Sequence, residues 1–141
     1  MQRTITRALL VVFGLIEFPV GLWPLISPTG FYQDFPGFRW GWVAMDGPFD
    51  EHLLRDFGGL NLALAALLIG AAVIGTTAVA RLAAASALLF GAPHFLYHLG
   101  HVGHFERIDQ VLIVVVTGLG VVVPIVLLLI PGRRVSPPVT P

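Results

Sequence analysis

The chain has 141 residues, of which 56% are hydrophobic and only 11% charged, and its mean hydropathy is +0.86. Soluble globular domains carry roughly a quarter charged residues, so this balance excludes an ordinary soluble fold and implies a protein embedded in lipid. Eight basic and eight acidic residues cancel to a net charge of zero, and without a basic stripe or nucleic-acid motif there is no footing for nucleic-acid binding.

The first apolar run, residues 8–26, follows Arg3 and Arg7 as a signal peptide would. Glu17 interrupts it and no small-residue cleavage site follows, so it reads as a retained helix. Pro19 removes a backbone donor and predicts a kink in its outer half, and Trp23, Pro24 and the Ser27-Pro28 pair close it. Residues 27–49 read as a non-helical loop holding Phe31, Tyr32, Phe35, Phe38, Trp40, Trp42 and Phe49. So many aromatics suit an interfacial anchor or a lid over a pocket at the outer end of the bundle. In the lid reading, Trp40 and Trp42 are candidate ligand contacts.

Asp50 is the expected N-cap of a second helix, with Glu51 in the first turn where the helix dipole favours negative charge. The second apolar run covers residues 57–75, the third 78–98 and the fourth 109–130. Each approaches the roughly 20 residues that a helix needs to cross a bilayer. Gly58, Gly59 and the alanines after them, and the Ala83, Ala87, Gly91 series, provide faces small enough for close helix contact. The fourth run carries no charge beyond Asp109 and reads as scaffold.

The expected fold is therefore all-α: a four-helix transmembrane bundle over residues 1–130, with an aromatic-rich extracytoplasmic loop between helices 1 and 2. A proline-rich, disordered cytoplasmic tail is expected over residues 131–141. The chain contains no lysine; Arg3, Arg7, Arg81, Arg133 and Arg134 fall on one side, and Arg39, Arg55 and Arg107 on the other. The positive-inside rule then puts both termini in the cytoplasm of a multi-pass cell-membrane protein. Asp34, Asp46, Asp50, Glu51, Asp56, Glu106 and Asp109 all lie on or beside the outer side. There is no cysteine, so disulfides and thiolate metal sites are unavailable.

The stretch PHFLYHLGHVGH places His94, His98, His101 and His104 within twelve residues. At 100° per residue, His98, His101 and His104 lie at about +40°, −20° and −80° from His94, one stripe, if the helix continues past Gly100 and Gly103. If it does not, His101 and His104 sit in a loop that folds back. Rises of 1.5 Å per residue put Glu17, His94 and Asn61 about 15, 20 and 21 Å into the membrane, close to a common level. Asp56 and His98 come one layer further out. An ionised carboxylate facing lipid is costly, so Glu17 is expected to point into the bundle, with His94 as its first partner and Asn61 as its second.

Three readings of this polar funnel stay open. His94, His98 and His101 with Glu17 or Asp56 suit a transition metal ion, zinc, iron or copper, because imidazoles one helical turn apart can share an ion. The same groups, with Asn61, Tyr97, Trp40 and Trp42 around them, suit an organic ligand or a proton relay. Alternatively, the polar pairs only join helices, and the outer histidines are solvated. No second deep histidine is present for haem, and none is expected. Whether the protein is an enzyme is left open; a non-catalytic accessory subunit of a larger membrane complex, or a homo-oligomer, is the alternative to a redox-linked metal protein.

In layout, residues 5–130 resemble the DoxX-like group of small four-helix membrane proteins. The stretches that carry the likeness are GLIEFPVGLWPLISPTGFYQDFPG, LRDFGGLNLALAALL and the short arginine-containing turn before the third helix. The resemblance implies a four-helix membrane fold and, for some members, association with membrane redox assemblies or small-molecule binding. No functional residue is carried over from it.

Overall fold

The computed structural model describes residues 2–39 and 41–131 and is all-helical, with no strand among the described residues. In chain order the elements are α1 (Gln2–Ile26), α2 (Pro28–Asp34), α3 (Trp42–Asp46), α4 (Glu51–Ile74), α5 (Thr77–His101), a 3-10 turn (Val102–His104) and α6 (Arg107–Leu129). α1, α4, α6 and α5 with its 3-10 extension are the four helices long and apolar enough to cross a membrane. Their outward faces carry Leu89, Leu129, Ile26 and Val73, each more than 70% exposed. Apolar surface on that scale suits contact with lipid chains, and four such helices fit a multi-pass membrane protein.

Local chemistry sets the helix ends. The Asp50 side chain accepts a hydrogen bond from Leu53 N (3.0 Å), capping α4 as expected. α4 ends at Gly75 with φ +70°, a left-handed position that glycine takes without strain, and Thr76 caps α5 at once by accepting from Val79 N (3.4 Å). A two-residue turn therefore reverses the chain. α4 starts earlier than its apolar run because Arg55 pairs with Glu51 (2.8 Å) and His52 with Asp56 (3.3 Å), contacts four residues apart that extend the helix beyond its apolar window. The stretch expected to be a loop contains α2 and α3 instead. Pro28 in the first turn of α2 suits a helix start, because its missing N–H would find no partner there. Beyond Pro131, the expected disordered tail lies outside the described residues.

Two helix pairs make the bundle. α1 packs most extensively on α4 and α5 on α6, while α4 meets α5 over a smaller area and α1 barely touches α6. Glycine permits both close pairings: a Cβ on Gly21 would lie 2.9 Å from Gly58 O, and one on Gly91 would lie 2.5 Å from Gly120 O. Gly59, by contrast, faces open space. Leu10, Phe13, Leu64, Leu68, Ala83, Ala84 and Leu127 form the main core. A second, smaller core of Trp42, Phe105 and Ile113 ties α3 to α6. Gln2, Thr76, Thr77 and Pro131 line one cavity, so both ends of the described chain and the α4–α5 turn meet at one end of the bundle. The other end, called the loop end below, carries α2, α3 and the 3-10 turn.

Candidate functional site

The loop end contains two polar groupings, one closed and one open. The closed one centres on Asp109 in the first turn of α6, which is only 7% exposed. Trp42 Nε1 donates to Asp109 Oδ1 (2.9 Å), and Arg39 NH2 donates to Asp109 Oδ2 (3.0 Å) and to Glu106 Oε2 (2.9 Å). Arg39 Nε forms a further ion pair with Oδ1 without the alignment of a hydrogen bond. The hydrogen bond to Asp109 and the two nearby carboxylates hold the Arg39 guanidinium above its ordinary pKa. A raised arginine stays charged up to its folded-state value, so this pair contributes in full below the unfolded pKa and is lost only at extreme alkalinity. The network straps the aromatic segment to α6. Trp42, expected as a ligand contact, has its N–H committed to this strap; Trp40 lies outside the described residues.

The open grouping joins α5, α3 and the 3-10 turn. α5 continues past Gly100 to His101, so His94 and His98 lie one turn apart on the face that also buries Ala80, Ala84, Ala87 and Gly91. Phe90 stacks on His94 (centroids 5.3 Å, 17° between planes), and His94 meets His98 edge to face at 4.6 Å. Both rings are half-buried. The last residue of α3, Asp46, brings its carboxylate near enough to act electrostatically on both rings, and His104 Nε2 lies 3.9 Å from Asp46 Oδ1. Tyr32 holds the end of α3 in place by donating its O–H to Gly47 O (2.9 Å). Two buried atoms here have no hydrogen-bond partner among the described residues, Asp46 Oδ1 and His98 Nδ1. An unmet buried polar atom is costly, and native structures keep few of them.

The other expected site residues are distributed differently. Asp56 is exposed on α4, where it pairs with His52 and not with the α5 histidines. His101 Nδ1 lies 2.7 Å from Tyr97 O, a bond that requires the Nδ1–H tautomer, and its ring stacks on Tyr97 at 4.2 Å. Tyr97 also packs edge to face on His98. Asn61 is 1% exposed; its amide N–H bonds Phe57 O of its own helix (2.8 Å), and its Oδ1 has no partner among the described residues. Glu17 lies on the buried face of α1, between Phe13 and Gly21, and makes no hydrogen bond or ion pair among the described residues.

The expected Glu17–His94 partnership does not form: Gly21, one turn along α1 from Glu17, packs on the Asn61 backbone, so Glu17 belongs with the Asn61 end of α4 and not with His94. Phe57 of α4 packs against Phe90 of α5 (6.2 Å), and the helices run antiparallel, so Asn61 lies one turn to one side of that contact and His94 one turn to the other. About 12 Å along the bundle axis separates them. Depth counted on separate helices could not reveal that the Phe57–Phe90 contact falls between the two levels. Asp46 is the residue beside these histidines that sequence reasoning did not place there: it is 48 positions from His94, and only its place among the outer acids marked it.

Among the described residues, no group of three or more His, Asp or Glu side chains is close enough to hold a metal ion. Comparisons with family models, with curated proteins and with solved structures return no match for the chain.

Proposed function

We propose that this protein spans the membrane with both termini in the cytoplasm and binds a transition metal ion at its loop end through Asp46, His98 and His104, with His94 beside them. The observation that carries this reading is the pair of buried, unpartnered atoms, Asp46 Oδ1 and His98 Nδ1, in one cluster. The carboxylate oxygen offers a lone pair, as does Nδ1 when His98 carries its proton on Nε2, and a cation is what lone pairs on a carboxylate and an imidazole satisfy together. His104 Nε2 at 3.9 Å from Asp46 Oδ1 needs to close by only about 0.5 Å to reach the ligand separation of a tetrahedral zinc site. The arginine asymmetry supports the orientation, and four helices long and apolar enough to cross a membrane support the multi-pass reading.

A second reading, that the cluster holds a proton or a small hydrogen-bond donor, is favoured by the lack of any group of three preplaced ligands among the described residues. Metal analysis of the full chain, purified without a histidine tag and loaded with Zn2+, Cu2+ or Fe2+, separates the two. The metal reading expects near-stoichiometric retention that weakens by roughly 100-fold in Asp46→Asn and in His98→Ala, with the helical circular dichroism unchanged. If no metal is retained above the detergent blank, the metal reading is wrong, and proton uptake by the same variants becomes the measurement.

A further inference from the structure

At the terminal end of the bundle a cavity of about 650 Å³ opens among the start of α1, the α4–α5 turn and the end of α6. That volume lies in the range of ligand-sized sites. Arg3, Arg7 and Arg81 line it together with Thr76, and Leu10 and Leu127 form its apolar floor. Arg3 NH2 donates to Gly75 O (3.4 Å), which anchors one guanidinium at the α4–α5 turn. Among the described residues, no carboxylate lines the cavity beside these arginines. Seven of the eight acids lie between Asp34 and Asp109 on loop-end elements or the adjoining segments, and Glu17 is well inside α1.

We infer that this cavity binds the phosphate headgroup of an anionic phospholipid, held by Arg3, Arg7 and Arg81, with the start of its acyl chains on Leu10 and Leu127. Three guanidinium groups gathered without a carboxylate call for an anion, and phosphate matches their forked donors. The apolar floor distinguishes a lipid from a free anion, because it offers nothing to a hydrated phosphate. The site is at the end of helices that fit a membrane, where headgroup phosphates lie. Its occupant is independent of the loop-end cluster.

The test is native mass spectrometry and thermal unfolding of the full chain in detergent, titrated with phosphatidylglycerol, with phosphatidylcholine of the same acyl chains, and with inorganic phosphate. Phosphatidylglycerol should be retained and raise Tm, while phosphatidylcholine and inorganic phosphate at matched concentration should do neither. Arg7→Gln and Arg81→Gln should each weaken retention about fivefold, and the double variant about 25-fold. Arg107→Gln, at the other end, serves as the control and should change nothing. Equal retention of the two lipids, or a preference that survives the double variant, would overturn the assignment; protection by inorganic phosphate alone would show a free anion to be the occupant and overturn the lipid.

Discussion

The five-residue helix α3 carries two side chains one turn apart that meet opposite fates. Trp42 at its start gives its N–H to Asp109, a carboxylate that also receives Arg39. Asp46 at its end keeps a buried oxygen with no donor, beside a histidine nitrogen in the same condition. In the first arrangement both carboxylate oxygens of Asp109 and the Trp42 N–H are hydrogen-bonded, and Arg39 Nε, which has no hydrogen bond, still faces Oδ1 as an ion pair, so the grouping ties α3 to α6. The second leaves polar atoms unmet, and the proposed ligand site rests on that feature. Burial alone does not separate the two carboxylates in this way, since Asp109 is the more buried of the two.

The largest expected effect breaks the closed network. Asp109→Ala removes the partner of both Arg39 and the buried Trp42 N–H, and Tm should fall by roughly 10 °C. Asp46→Ala in the metal-free protein should leave Tm unchanged or slightly raised, because it deletes an unmet polar atom. Thermal unfolding of the two variants side by side checks the contrast; a larger loss at Asp46 than at Asp109 would invert it. Trp42→Phe sharpens it further. A phenyl ring can still pack against Phe35 and Phe38, which lie 6.2 and 6.1 Å from the indole, but the N–H and part of the buried indole's volume are both lost, and Tm should fall by roughly 5 °C.

The four long helices were legible because an apolar run of bilayer length seldom occurs outside a membrane-spanning helix, and Asp50 was legible as a cap because it stands directly before the acidic first turn of α4. The shared face of His94 and His98 followed from helical periodicity alone. Other features depend on the path of the chain between helices. Helices of five and seven residues are too short to show a period, so α2 and α3 looked like loop. Consequently the meeting of Asp46 with the histidines, and of Arg39 and Trp42 with Asp109, had no local signature. Asp56 misled for a related reason: its depth suited the funnel, but its bearing on α4 points it away, towards His52.

His104 tests how far the open cluster extends. It is 43% exposed at its side chain and stands 3.9 Å from Asp46, too far for a direct hydrogen bond and near enough to close on a shared ion. An exposed ligand gains less from displacement of water than a half-buried one, so His104→Ala should weaken metal retention by roughly tenfold, against the larger loss in Asp46→Asn. The metal-free Tm should not move, because His104 satisfies no buried partner. Unchanged affinity together with unchanged Tm would remove His104 from the ligand set and leave Asp46, His94 and His98. A fall in metal-free Tm would instead mean that His104 holds the 3-10 turn against α3, and the open grouping would then share the structural role of the closed one.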